Sequence, residues 1–154
     1  MKTILQKTTN TNKPASILDP NEVDQIIKEH SKSFSFASSF LTPEKKRGIR
    51  ALYAFCRYID DLADKHPEKA LTAGAKSAIT LLLEAEQDFF SSNPQHPIIR
   101  TFKETYTKYS ISAQYVKDLI YGCKRDLTQK RYRNFAELSE YCYQVASTVG
   151  YMSA

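Results

Sequence analysis

The segment from Tyr53 to Asp64 reads YAFCRYIDDLAD and has the periodicity of an α-helix. At about 100° per residue, four of its polar side chains fall within an arc of about 60° and form one stripe. They are Tyr53, Arg57, Asp60 and Asp64. Asp61 lies off this stripe. The helix is therefore expected to present a guanidinium and two carboxylates along one line.

Helix signals recur on both sides of this segment. Six helices are expected: from Asp19, from Thr42-Pro43 to about Lys65, from Glu68 to about Phe90, from Pro97 to about Tyr109, from Ser112 to about Thr128, and from Asn134 to the end. The starts depend on N-cap residues, capping boxes and prolines in the first turn. No window shows the sustained two-residue period of a strand. We therefore predict an all-α helical bundle, with a flexible tail over residues 1–18 and one domain over residues 19–154.

The composition narrows the class of partner and the compartment. A net charge of +5 and a pI near 9.0 favour anionic ligands. Nucleic acid is disfavoured because the basic residues are scattered among aspartates without a docking motif, although a steep salt dependence of DNA binding would revive it. Three widely spaced cysteines predict reduced thiols. The start lacks the apolar run of a secretory signal, so we expect a cytoplasmic protein.

Asp60 and Asp64 lie one turn apart, a spacing at which two carboxylates can share a hard cation. Mg²⁺ typically takes one or two carboxylates and completes its shell with water and phosphate oxygens. Arg57, one turn earlier, can grip the same phosphate with two hydrogen bonds. The alternative is a solvated helix face on which Arg57 and Asp61 form an ordinary i,i+4 pair. Acidic residues at the carboxyl end of a helix oppose its macrodipole, which favours a cation there.

Two further polar segments carry candidate anion ligands. Residues 30–34, HSKSF, place a histidine, two hydroxyls and an amine within five residues. They can donate hydrogen bonds to phosphate oxygens, or they can simply form a polar helix end. Basic residues between Lys124 and Arg133 surround Asp126, and they are either a solvated helix end or part of the same anion site.

The last helix is expected to present one apolar face. Tyr141, Val145, Thr148 and Met152 share that face at α-helical spacing. Gly150 is expected to let another element approach closely on the opposite side. This face is either a packed core surface or, in addition, the wall of a ligand cavity.

Taken together, three segments resemble the squalene/phytoene synthase family. They are residues 30–34, HSKSF; residues 51–64, ALYAFCRYIDDLAD; and residues 141–150, YCYQVASTVG. Their order and separations match the family over residues 30–154. The resemblance implies an α-helical bundle whose central cavity holds two prenyl diphosphates between two aspartate-rich helices. It also implies their head-to-head condensation to squalene, dehydrosqualene or phytoene, in isoprenoid and carotenoid biosynthesis.

The resemblance also implies a role for each matched residue. Mg²⁺, or Mn²⁺ as the alternative metal, would be bound by Asp60 and Asp64. The diphosphates would be held by His30, Ser31, Ser33, Tyr53 and Arg57. Tyr141 would lie beside the reacting allylic carbons, and with Asp60, Asp64 and Arg57 it completes the implied catalytic set. The cavity would also be lined by Phe34, Val145, Val149 and Asp126.

The sequence departs from the family pattern in two ways. Ser147 stands where relatives often have glycine, and no second D-x-x-x-D motif follows Asp64. We therefore expect the chain to be the amino-terminal part of a prenyl synthase that lacks its carboxy-terminal half. A truncated, non-catalytic scaffold or interaction protein is the alternative. The choice between C15 and C20 substrates, the use of NADPH and a peripheral membrane contact for release of an apolar product stay open.

Overall fold

The computed structural model describes residues 16–64, 77–129 and 131–154, and within these ranges it is helical without a strand, which confirms the all-α prediction. The helices are α1 (Pro20–His30), α2 (Lys32–Ser38), α3 (Pro43–Asp64), α4 (Ala78–Phe90), α5 (Pro97–Lys108), α6 (Ala113–Thr128), α7 (Phe135–Cys142) and α8 (Thr148–Ser153). A π turn, Tyr143–Ser147, joins α7 to α8. Most of the predicted tail, residues 1–15, lies outside the described residues. No helix in the described ranges combines the length and the hydrophobicity needed to cross a bilayer.

Capping side chains set several helix starts. Asp19 forms the predicted capping box with Glu22, and Ser112 and Asn134 cap α6 and α7. The predicted helix from Glu68 to Phe90 is wrong at Ser77, which has extended backbone and accepts the Thr80 N–H. Because Ser77 is an N-cap, α4 begins at Ala78. Residues 68–76 lie outside the described part of the chain.

Helix α3 is the central element of the bundle and contacts α1, α2, α4, α5, α6 and α8. Its fully buried Phe55 stacks on Phe102, with ring centroids 4.6 Å apart, and lies 5.4 Å from the ring of Phe89. Such aromatic clusters bury large apolar areas and dominate core energetics. The buried face of α3 therefore fixes the direction in which its polar stripe points.

The short helix α2 was not predicted, and a buried arginine explains its position. Arg50 of α3 is 6% exposed and donates to the Ser38 hydroxyl at 3.1 Å and to the Ser35 carbonyl at 3.3 Å. It also forms an ion pair with Asp24 of α1. One guanidinium thus ties α1 and α2 to α3, a long-range contact that the local sequence pattern does not contain.

Candidate active site

A cleft of about 390 Å³ opens between α3, α6 and the last helical stretch, residues 135–153. Its lining comes from three segments that are far apart in the sequence. From α3 come Tyr53, Cys56, Arg57, Asp60, Ala63 and Asp64; from α6 come Leu119, Cys123 and Asp126; from the last stretch come Tyr141, Val145 and Val149. Eight of the predicted site residues therefore share one cleft.

The acidic end of the cleft carries negative charge that the fold does not fully neutralise. Burial raises the pKa of the Asp60 carboxyl, and the neighbouring charge of Asp64 raises it further, while Arg57 opposes both. Asp61 and Asp126 add smaller repulsions in the same direction. Since the Asp60 side chain is still 52% exposed, a cation can reach it and relieve this repulsion.

The carboxylates at this end fit a magnesium site that substrate would complete. No group of three or more potential metal ligands occurs within residues 16–64, 77–129 and 131–154. Asp60 and Asp64 still match the usual Mg²⁺ arrangement, in which one or two carboxylates bind and phosphate oxygens and water fill the other positions. Mn²⁺ accepts the same oxygen ligands.

Arg57 is held by two carboxylates on its own helix. Its Nη1 donates to Asp60 Oδ2 at 3.1 Å, and its Nη2 lies 2.6 Å from Asp61 Oδ1. Asp61 has only 6% of its side chain exposed and does not line the cleft, as its position off the stripe indicates. The buried Asp61 therefore orients the guanidinium, while the exposed Asp60 shares it with the cleft.

Opposite the carboxylates, the last helical stretch forms an apolar and aromatic wall. Burial raises the pKa of Tyr141 to about 12, and the charge of Asp126 and a hydrogen bond to it act in the same direction. The phenol is therefore neutral and donates to Asp126 near neutral pH. Its ring stacks on Tyr132, with centroids 5.1 Å apart. Carboxylates and apolar side chains thus line the same cleft.

Two cysteines in the lining add no reactive group. Burial, with a smaller contribution from nearby carboxylates, raises the pKa of Cys56 and of Cys123 to about 12. A thiol with such a pKa is protonated near neutral pH and is a poor nucleophile. Both side chains therefore serve as small neutral packing groups, which agrees with the prediction of reduced thiols.

The HSKSF segment lies outside the lining of this cleft. His30 is exposed at the end of α1, Ser31 caps α2 by accepting the Phe34 N–H, and Ser33 is exposed. Phe34 reaches the site indirectly, since its ring stacks on Tyr53 with centroids 4.5 Å apart. The roles predicted for these four residues stay predictions. The stack of Phe34 on Tyr53 connects this segment to the cleft.

The two basic residues that immediately precede Asp126 are engaged elsewhere. Lys124 pairs with Glu86 of α4 at 2.8 Å, and Arg125 pairs with Glu140 of α7 at 3.1 Å. Neither basic side chain lines the cleft. Among the arginines and lysines of the described residues, only Arg57 lines the cleft. Arg57 is therefore the candidate cationic ligand for a phosphate there.

A larger cleft of about 640 Å³ lies near the amino end of α3, against α1 and α5. Four of its charged groups form ion pairs within the fold. Arg50 pairs with Asp24, and Lys108 pairs with Glu44 at 2.7 Å. It holds none of the predicted site residues, so its size does not make it the better candidate.

The π turn changes which residues of the last stretch share a face. The predicted face divides: Tyr141 and Val145 line the cleft, whereas Thr148 and Met152 are buried in the core. Val149 takes the next position along the cleft. The prediction of one continuous α-helical face was wrong because a π turn contains an additional residue and shifts the phase beyond it.

The close approach predicted at Gly150 occurs at a different glycine. No atom of another described element lies within 4 Å of a Cβ built at Gly150, which is exposed. A Cβ built at Gly122 of α6 would instead lie 2.8 Å from both Gln144 Cβ and Val145 Cγ1. The prediction for Gly150 was wrong because the neighbouring helix packs on the other side of the last stretch.

The α6 side of the cleft was largely missed from the sequence, where only Asp126 was singled out. Leu119, Cys123 and Asp126 follow one another at spacings of four and three, the pattern of one helix face. The sequence contains this pattern, but helical spacing alone does not distinguish a face that lines a cleft from a face that packs in the core.

Comparison with known proteins gives the family. A family model described as squalene/phytoene synthase matches residues 27–154. The chain is 37% identical over 129 residues to a chloroplastic phytoene synthase of an Oncidium hybrid cultivar and 36% identical to one of Cucumis melo. These matches cover 84% of this chain and 31% and 30% of the respective relatives.

A solved structure agrees with this result. A crystal structure of a dehydrosqualene synthase in complex with ligand superimposes with a TM-score of 0.72 at 30% identity, over 86% of this chain and 45% of that one. The chain thus spans less than half the length of the proteins it matches. The family model, the relatives and the shared fold together show that this chain belongs to the squalene/phytoene synthase family.

Proposed function

We propose that this chain forms one side of the active site of a magnesium-dependent prenyltransferase, which joins two prenyl diphosphates head to head to phytoene, dehydrosqualene or squalene. The observation that carries the proposal is a single cleft with carboxylates and Arg57 on one side and an apolar wall on the other. A prenyl diphosphate has the same division between an anionic head and an apolar chain. Family membership supports the same reaction class.

Each end of the cleft has a distinct task in this reaction. Asp60 and Asp64 would hold Mg²⁺, which when bound supplies Lewis-acid stabilisation of the leaving diphosphate. Arg57 is oriented by Asp61 to meet the same charge from the protein side. The bond from the allylic carbon to the diphosphate oxygen breaks, with the electron pair leaving on the diphosphate, and the allylic cation alkylates the double bond of the second substrate with loss of a proton to the released diphosphate. Val145, Val149 and the neutral Tyr141 exclude water from that cation.

The direct test is to incubate the product of the complete reading frame that contains residues 1–154 with farnesyl or geranylgeranyl diphosphate and Mg²⁺. A C30 or C40 hydrocarbon supports the proposal, and the preferred substrate identifies the chain length. In a parallel incubation with added isopentenyl diphosphate, a longer prenyl diphosphate would instead indicate head-to-tail elongation. Parallel incubations with and without NADPH then show whether the C30 product is squalene, which requires the reductant, or dehydrosqualene.

The ring of Tyr141 is expected to affect turnover more than its hydroxyl does. Tyr141→Ala should lower kcat/KM by about tenfold to a hundredfold, because it opens the wall to water. Tyr141→Phe keeps the ring, and it should retain most activity because the hydroxyl is already bonded to Asp126. Steady-state kinetics and thermal melting of both variants check this. If Tyr141→Ala keeps wild-type kcat and only melts earlier, Tyr141 is a packing residue.

Residues 1–154 by themselves are expected to give no hydrocarbon product. Two diphosphates bring about four to six negative charges into one cavity, and buried charge needs matching cations. Arg57 and the Mg²⁺ that one aspartate pair can hold supply too little positive charge to neutralise them. The measurement is product formation by this chain alone, with the longer protein as the control. Turnover by the isolated chain would contradict the expectation, and a complete protein that also lacks turnover would favour the scaffold alternative.

A further inference from the structure

We propose that Gly122 is a positioning residue for the substrate pocket, because its missing side chain lets the π turn pack directly against α6 and thereby fixes the distance between the two apolar sides of the cleft. The proposal rests on the proposed function and deepens it. It assigns the chain-length preference of the site in part to a glycine that does not itself line the cleft.

The contact at Gly122 is closer than any side chain would permit. A Cβ there would lie 2.8 Å from Gln144 Cβ and 2.8 Å from Val145 Cγ1, and 3.4 Å from the Gln144 carbonyl carbon. Gln144 Cβ is fixed by the backbone, and Val145 is β-branched with a stiff χ1, so neither can move aside cheaply. Alanine at this position must therefore displace the π turn from α6.

The same contact lies directly behind the cleft. Gly122 is buried between Leu119 and Asp126 on α6, both of which line the cleft, and it precedes Cys123, which lines it too. Across the contact, Val145 lines the cleft with one part of its side chain and approaches Gly122 with Cγ1. A shift of the π turn is thus a shift of the pocket wall.

The π turn itself aligns that wall. In a regular α-helix, three residues spaced by four would drift by about 80° from first to last. The additional residue of one π turn reduces this drift to about 20°, so that Tyr141, Val145 and Val149 can face the same cleft. Thr148, fully buried, donates its N–H to the Tyr143 carbonyl and its hydroxyl to the Gln144 carbonyl at 2.6 Å. Two hydrogen bonds from Thr148 therefore stabilise the wider turn.

The glycine at position 150 supplies a matched control. Gly150 lies on the same helical stretch as the π turn, but a Cβ there meets no other described element within 4 Å. Gly150→Ala should leave kinetics unchanged and should keep or raise the Tm, since alanine favours helix over glycine. Any effect specific to Gly122→Ala then comes from the contact with Gln144 and Val145.

The experiment compares Gly122→Ala, Gly150→Ala, Val145→Ala and the double variant Gly122→Ala/Val145→Ala in the complete protein. For each, kcat/KM is measured with farnesyl and with geranylgeranyl diphosphate, and the ratio of the two values is the readout. We expect Gly122→Ala to change this ratio by about tenfold, a size typical of small changes in an apolar pocket. The double variant should recover part of the change, because it removes the Cγ1 that the new methyl group meets but leaves the contact with Gln144 Cβ.

A purely structural role would lower the Tm and both kcat/KM values together, and an unchanged ratio in Gly122→Ala would overturn the proposal. If Gly122→Ala does not fold, the double variant provides the test. A double variant that folds, and whose ratio of kcat/KM values differs from that of Val145→Ala, supports the contact. A double variant that also fails to fold, while Val145→Ala folds, overturns the proposal. Absence of turnover in the wild type would be a failure of the proposed function. In that case a several-degree fall in Tm for Gly122→Ala that Val145→Ala relieves would still support the packing contact, and no relief would overturn it.

Discussion

Replacing Asp60 or Asp64 by asparagine is expected to lower kcat/KM for a prenyl diphosphate about a hundredfold to a thousandfold in the presence of Mg²⁺. Asparagine keeps the shape of the side chain but removes the charge that a hard cation requires. The stability of the fold should not fall. Because burial and Asp64 raise the pKa of Asp60, its charged form is disfavoured in the folded state, and Asp60→Asn should melt no earlier than the wild type.

The sign of this stability effect also predicts its pH dependence. A carboxyl whose pKa is raised on folding destabilises the protein once pH rises above the pKa of the unfolded chain, and this penalty vanishes at lower pH. The Tm difference between Asp60→Asn and wild type should therefore shrink as pH falls through the acidic range.

The matched control for the loss of activity is Glu104→Gln, which changes an exposed acid on α5. Equal losses of activity at Glu104 and at Asp60 would contradict the metal assignment.

Arg57→Ala is expected to cost both stability and turnover. Asp61 is almost fully buried and pairs with Arg57 at 2.6 Å, so removal of the guanidinium takes this ion pair away from a buried carboxylate. The loss in the free energy of unfolding should be about 2 to 3 kcal/mol, less than for a fully buried pair because Arg57 is 30% exposed. Turnover should fall about a hundredfold through the lost contact to the diphosphate.

A second pair of variants separates these two effects. The double variant Arg57→Met/Asp61→Leu removes both charges and should regain most of the stability, because apolar residues can replace a buried ion pair. It should not regain turnover. Arg57→Lys should be intermediate, since an ammonium keeps the charge but cannot reach both carboxylates as the planar fork does. Recovery of wild-type kcat/KM by the double variant would show that Arg57 serves only the fold.

Much of the fold follows from local signals in the sequence. Asp19, Ser112 and Asn134 begin helices where their side chains cap the first turn, and the structure confirms these starts. The predicted helix over residues 43–65 agrees with α3 to within one residue. Where the sequence was ambiguous, the missing information was tertiary. The segment over residues 32–38 is short and rich in serine, and hydrogen bonds from Arg50 of α3 fix its helix in place.

The site was predictable on one helix and less so where two helices meet. The stripe of Tyr53, Arg57, Asp60 and Asp64 follows from the α-helical period alone, and all four line the cleft. The opposite wall could not be placed this way, because it depends on the π turn. That turn packs on Gly122 of α6, a close approach that no local pattern reports. The orienting role of Asp61 likewise depends on its burial.

We propose that one cleft holds the metal and diphosphate at Asp60 and Asp64 and the prenyl chain along Tyr141, Val145 and Val149. The most direct measurement is a crystal structure of the complete protein with Mn²⁺ and a thiolo analogue of a prenyl diphosphate, in which sulfur replaces the bridging oxygen. Anomalous scattering would locate the metal. We predict a peak between the two aspartates with the diphosphate beside Arg57. A peak and diphosphate in the larger cleft near Arg47 and Lys108 would contradict the account.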